Sequence, residues 1–186
     1  MALLDILLYP DPGLRRKSAK VQKIDASVRR FLDDMAETMK AARGIGLSAP
    51  QVGRNIRVAL VSDARDFESP DGDENAKPPQ DMPVIEMINP VFKGGSGREF
   101  DTEGCLSIPG FIAKVGRKKT VEVEWLTRDG EIRSMTAGGL TARIIQHEAD
   151  HLDGILFVDR LSRLKREMMF KKMDRAFADR EDEGEG

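Results

Sequence analysis

Gln146-His147-Glu148-Ala149-Asp150-His151 contains both histidines of the chain, four residues apart. Four steps along an α-helix rotate a side chain by about 400°, so the two imidazoles stand only about 40° apart on one face. Both can therefore reach a single metal ion. Glu148 follows the first of them, placed to work on a water at that ion rather than to bind the ion. A hydrolytic metal centre has three protein ligands and one open position. With no third histidine, the third ligand is either a carboxylate, with Asp150 and Asp153 as candidates, or Cys105, the one cysteine. Cys105 lies in Glu103-Gly104-Cys105-Leu106-Ser107 ahead of Ile108-Pro109, which reads as tight, shaped backbone and not as helix interior. The third feature is Gly44-Ile45-Gly46-Leu47-Ser48-Ala49-Pro50-Gln51. Its glycines allow close backbone approach, and the Gln51 amide can donate to a developing oxyanion. Its spacing fits neither a phosphate-binding loop nor a dinucleotide fingerprint.

These residues need elements to hold them. The stretch from Gly139 to Leu152 predicts a helix that carries the histidine pair. A helix is expected from Asp25, whose carboxylate can cap the first turn, to Gly44, which can take the left-handed conformation at its end. Val28, Phe31, Leu32, Met35 and Met39 recur three and four apart along it as one apolar stripe. Val58 to Val61 and Val84 to Ile88 predict strands, the second stopped by Asn89-Pro90. Val121, Val123 and Trp125 alternate with Glu122 and Glu124, the period of a half-buried strand, and Arg128-Asp129-Gly130 turns towards a hairpin partner from Glu131 to Met135. A third helix is expected from Leu161 to Phe177, with Leu161, Leu164, Met168 and Phe177 inward. Lys165, Arg166, Lys171, Lys172 and Arg175 lie on its outer face. Residues 66–82 read as a loop or insertion.

The 186 residues suit a single domain, assigned to 1–178, with an acidic tail over 179–186 expected to lack structure. Thirty basic and 32 acidic side chains leave a formal net charge of -2, which argues against broad nucleic-acid or anionic-membrane binding. No apolar run approaches the roughly 20 residues of a transmembrane helix. The opening MALLDILLYPDP has no basic region before its apolar stretch, and one cysteine excludes an internal disulfide. A cytoplasmic protein is expected.

GIGLSAPQ, EGCLS and QHEADH, in that order, resemble the three signature motifs of peptide deformylase, and LLYPDPGLRRKSAKV resembles that family's N-terminal segment. The likeness extends from about Leu3 to Leu161, and the helical C-terminus is similar to the bacterial and organellar type. It implies an α+β fold in which antiparallel sheets surround the central HExxH helix, with a C-terminal helix. It also implies that Cys105, His147 and His151 bind the metal. The implied ion is Fe2+, with Ni2+, Co2+ or Zn2+ as substitutes. The implied reaction removes the formyl group from the N-terminal methionine of newly made polypeptides and releases formate. In it, water at the metal attacks the formyl carbon, Glu148 serves as general base and then acid, and Gln51 and the Leu106 amide hold the oxyanion. Ile45, Gly46, Glu103 and Gly104 match positions that line the substrate cleft.

Several residues depart from that pattern. Ser48 stands where Ala is common. Arg143, one turn before His147, stands where several relatives carry an apolar pocket residue. It can narrow or polarise the methionine pocket, or pack its stem while its charge reaches solvent. Ile112 replaces a basic residue of some members, and Arg117 is available for a structural ion pair. Two other functions compete. A zinc endopeptidase would need a further downstream ligand, and no third histidine exists. A non-catalytic binding protein would be expected to have lost the base or a ligand, and neither is missing. A further hypothesis places the basic face of the last helix against the ribosome, where substrates emerge.

Overall fold

The computed structural model describes residues 2–65 and 81–184, with side chains as far as residue 178. Helix α1 (Ala26–Ala41) starts as expected: the Asp25 carboxylate accepts from the Ser27 and Val28 amides. It ends differently. The left-handed residue is Arg43, at φ 53°, and not Gly44. The amides of Arg43 and Gly44 donate back to the Lys40 and Met39 carbonyls, closing the turn around Arg43. Gly44 answers another constraint, since a Cβ there would stand 2.7 Å from Leu106 Cδ1.

Strands β1 (Gly46–Ser48), β2 (Val58–Ser62) and β3 (Val84–Ser96) are followed by β4 (Glu99–Cys105) and β5 (Ile108–Arg117). Strands β6 (Thr120–Leu126) and β7 (Ile132–Gly138) then lead into helix α2 (Gly139–Leu152), at the bounds the sequence suggests. Five strands form an antiparallel sheet in the order β1-β2-β3-β6-β7, and β4 pairs with β5 as a separate hairpin. β2 is buried at every position because helices cover both sides of the sheet. Val58 and Leu60 pack with the α1 stripe, whereas Val61 packs with Ala142, Ile144 and Ile145 of α2. Asn89-Pro90 does not stop β3. Asn89 takes φ 53° and the register shifts between Ile88 and Val91, so the strand bulges and continues. The Asn89 side chain secures the bulge by accepting from the Val21 amide and donating to the Val21 carbonyl, each at 2.9 Å.

Helix α3 (Arg163–Gly184) keeps part of the expected inward set: Phe177 is buried and Leu161, just before the helix, packs against the same cluster, but Leu164 and Met168 do not. Met173 and Phe177 are buried with Leu14, Ile108, Val115 and Phe157, while Leu164 and Met168 are 68% and 54% exposed. Its backbone stays helical to Gly184, into the acidic segment, and residues 185–186 lie outside the described residues. Of the loop expected over 66–82, residues 66–80 also lie outside them. Among the described residues, no helix is long and apolar enough to cross a membrane. α2 thus lies between the five-stranded sheet and the β4–β5 hairpin, the central position expected of the HExxH helix.

Candidate active site

The sheet-facing side of α2 is apolar, and the opposite side carries Arg143, His147, Asp150 and His151 towards the hairpin. The two histidine Nε2 atoms stand 3.3 Å apart, and Cys105 Sγ lies 3.2 Å from His151 Nε2. The three side chains form a group with donor atoms all within 4.8 Å of one another. Ligands around one tetrahedral ion at 2.0–2.3 Å are separated by about 3.3–3.7 Å, so the group has the size and the soft-plus-borderline donor chemistry of a metal site. Cys105 reaches the helix because the pairing of β4 with β5 shifts between Gly104 and Cys105, which turns the thiol out of regular strand alternation. The carboxylates considered as third ligands are engaged elsewhere. Asp150 takes Arg117 at 2.6 Å and also Arg160, and Asp153 takes Arg57 at 2.8 Å.

His147 Nδ1 lies 3.1 Å from Glu103 Oε2. A carboxylate there accepts, so Nδ1 carries the proton and the Nε2 lone pair faces the group. Burial opposes a charge on His147, but Cys105 and Glu103 outweigh it and push its pKa up. Burial pushes His151 down, and His147 beside it adds to that. Two imidazoles this close do not both protonate, and a bound cation replaces the charge they would compete for. Glu103 is also buried, which alone would raise its pKa, yet bonds from Arg117 and His147 hold it at about 2.

Glu148 is buried beside the ligands, and desolvation pushes its carboxyl up to about 7 against the pull of His147. Among the described residues its Oε2 has no hydrogen-bond partner, an orphaned acceptor of the kind a water or substrate proton satisfies. Its Oε1 crowds the chain at Gly46, where a Cβ would stand 2.3 Å away. Gln51 is oriented by its neighbours. Its Oε1 accepts from the Ser48 amide at 2.8 Å and the Ser48 hydroxyl at 2.7 Å. That sends Nε2 towards Ser107 Oγ at 3.2 Å and Cys105 Sγ at 3.5 Å.

The site residues that the resemblance implies line one cavity of about 340 Å³, except His151, which is buried and not among its lining, and the candidate ligands Asp150 and Asp153 do not line it either. Glu103 lines the cavity as the resemblance implies, and its carboxylate is taken up by Arg117, Arg143 and His147, a role the sequence does not suggest. The Arg143 charge does not reach solvent: the residue is 7% exposed and bonds Glu103 at 2.6 Å and the Val115 carbonyl at 3.1 Å. Ile112 is 66% exposed, with Cγ2 over Gly104. Arg117 makes its ion pairs with Glu103 and Asp150. Leu140 and Ile144 also line the cavity and were not picked out from the sequence, although their four-residue spacing towards Glu148 carries the signal. Ser48 has no such signal beyond its place three residues before Gln51.

The polypeptide deformylase family model matches residues 3–167. The peptide deformylase of Mesorhizobium japonicum is 40% identical over 181 residues, covering 97% of this chain and 96% of that protein. That of Alkalilimnicola ehrlichii is 45% identical over 175 residues, covering 94% and 91%. A crystal structure of a peptide deformylase from Legionella pneumophila superposes with a TM-score of 0.80 at 37% identity, over 95% of this chain and 96% of that one. One from Ehrlichia chaffeensis, in complex with actinonin, also gives 0.80, at 34% identity over 95% and 98%. With the model spanning most of the chain and relatives matching it nearly end to end, this chain belongs to the polypeptide deformylase family.

Proposed function

We propose that this chain removes the formyl group from the N-terminal methionine of nascent polypeptides in the cytoplasm, as a hydrolase dependent on a divalent metal held by Cys105, His147 and His151. The observation that carries the reading is the convergence of one cysteine sulfur and two imidazole nitrogens beside an orphaned carboxylate oxygen of Glu148. The identity of the ion, Fe2+ in this proposal, rests on family likeness. Held by Cys105, His147 and His151, such an ion would supply Lewis acidity, making the formyl carbonyl more electrophilic and lowering the pKa of a nearby water from 15.7 towards about 7.

The chain's own groups supply the remaining chemistry. Glu148 Oε2 accepts the proton of the attacking water and later delivers it to the departing amine, and burial, which disfavours its charged form, helps it hold that proton in between. Gln51 Nε2, held in one orientation by Ser48, donates to the oxygen that becomes negative, and the Leu106 amide supplies a second donor. Each such donor typically contributes about 3 kcal/mol. Ile45, Gly46, Glu103 and Gly104 offer backbone to an extended peptide. Leu140, Ile144 and the Arg143 stem offer an apolar wall to the methionine side chain. The cavity, about 340 Å³, suits one side chain and a formyl group.

Formate release from a formyl-Met peptide, by protein loaded anaerobically with iron, tests this beside Glu148→Ala. Turnover in the parent and loss of at least about 10²-fold in the variant, with metal content unchanged, is expected. A folded, fully metallated parent that releases no formate overturns it.

A further inference from the structure

Glu103 faces α2 from the hairpin and spans one turn of the helix. Its Oε1 accepts from Arg143 NH1 at 2.6 Å, and its Oε2 accepts from His147 Nδ1 at 3.1 Å. Arg143 and His147 stand four residues apart, so one carboxylate bridges neighbouring positions on the same helical face. From its own hairpin the same carboxylate receives Arg117 Nε at 2.7 Å and Arg117 NH2 at 2.8 Å. Four donors fill its four acceptor positions.

These bonds do different work. Arg117 and Glu103 both belong to the hairpin, so their forked pair fixes the carboxylate within the hairpin and says nothing about its place over α2. Only bonds that cross to the helix do that. One is Arg143 to Glu103, one turn before His147, and another is Arg117 NH1 to Asp150 at 2.6 Å, three residues after it. Arg143 further bonds the Val115 carbonyl at 3.1 Å, which anchors it to β5 as well. The two crossing struts flank His147. That ring depends on them in a way His151 does not: among the described residues, His151 Nδ1 has no hydrogen-bond partner. The polar contacts of His151 lie on its Nε2 side, with Cys105 and His147, whereas the Nδ1 hydrogen bond of His147 is set by where Glu103 sits.

We infer that Arg143 is a positioning residue for the metal centre, holding Glu103 at the height over α2 from which it aims the His147 ring. The inference rests on the metal-site reading above. The same side chain lines the cavity, so its stem forms pocket wall while its guanidinium secures the ligand shell behind that wall. Loss of a carboxylate that bonds a ligating histidine, as Glu103 does, typically lowers metal affinity about 10- to 100-fold, and misplacing it carries part of that cost.

Cobalt(II)-loaded full-length protein tests this without substrate, through cobalt release to excess chelator and the visible absorption of the bound ion. Arg143→Leu, which keeps an apolar wall, is expected to release cobalt about tenfold faster or more, with shifted absorption. Arg143→Lys keeps the charge but not the fork, and should fall between Leu and parent. In a Glu103→Gln background, Arg143→Leu should add little, because its effect passes through Glu103. Parent-like release and absorption in Arg143→Leu, or a full additional effect on top of Glu103→Gln, overturns the inference. Should Arg143→Leu fail to fold, Arg143→Lys decides alone: intermediate release supports the role and parent-like release refutes it. A parent that binds cobalt but yields no formate defeats the deformylase reading and leaves this comparison intact.

Discussion

Gly46 is an example of a residue whose identity follows from a neighbour rather than from its own backbone. Its missing side chain leaves room for Glu148 Oε1 and Ile144 Cγ2, which a Cβ would meet at 2.3 and 2.8 Å. Gly46→Ala must therefore move the carboxylate or the strand. The expected outcome is a fall in kcat of at least about 10²-fold, with a much smaller fall in melting temperature, checked by formate release and thermal denaturation side by side. Gln51 shows the same dependence at a polar position. Its amide is aimed by Ser48, so the hydroxyl at position 48, a small departure from the common alanine, adds a second bond to the Gln51 carbonyl oxygen.

Helix α3 is held only in part by the side chains its sequence suggests. Leu161, Leu164, Met168 and Phe177 fit a helical stripe, but the groove left by Leu14, Ile108 and Phe157 takes Met173 and Phe177. Met173→Ala should cost about 2–5 kcal/mol of stability, as for other buried side chains cut back to a methyl group. Leu164→Ala, on the exposed side, should stay within about 0.5 kcal/mol of the parent. Urea denaturation of the two variants distinguishes the helix faces, and equal destabilisation would contradict the packing described. The β4–β5 hairpin is harder to see in sequence. Glu99–Cys105 mixes charges, Gly and Cys, with no clean alternation, because β4 contributes the ionic partner Glu103 while the buried apolar residues of the hairpin, Ile108 and Val115, lie on β5.

Across the whole molecule, the N-terminal segment and α3 meet at Tyr9, whose hydroxyl donates to Asp174 Oδ1 at 2.7 Å. Burial, followed by Asp174, pushes the Tyr9 phenol up from 10.0 to about 12. A phenol that holds its proton more tightly when folded contributes stability that is complete below pH 10 and is lost as pH rises through about 12. Tyr9→Phe should therefore flatten the fall in stability across that window, as read from denaturation midpoints between pH 9 and pH 12. Docking of the basic face of α3 on the ribosome remains a proposal. Truncation after Arg160 would also remove buried Met173 and Phe177, so replacing exposed Lys165, Lys171 and Lys172 by Gln is the cleaner test. Salt-sensitive cosedimentation should weaken, and unchanged cosedimentation would refute docking.

The helix carrying His147 and His151, the strand alternation of β6 and the capped start of α1 were all legible in the sequence, because each rests on a periodicity or a cap within a few residues. Three separated motifs also carried the family and most of the cavity lining. On the residues alone Cys105, Asp150 and Asp153 all stayed open as partners of the histidines and the resemblance implied Cys105, but the placement of its sulfur beside them came only with the fold. So did the continuation of β3 past Asn89-Pro90, the inward face of α3 and the burial of Arg143 against Glu103. Each of these depends on groups far apart in the chain: Arg117 occupies Asp150, Val21 secures the bulge at Asn89, and Glu103 meets Arg143 across the hairpin. A local pattern records which conformations a segment can adopt, whereas the partner that satisfies a buried charge or fills a groove is set by packing between distant segments.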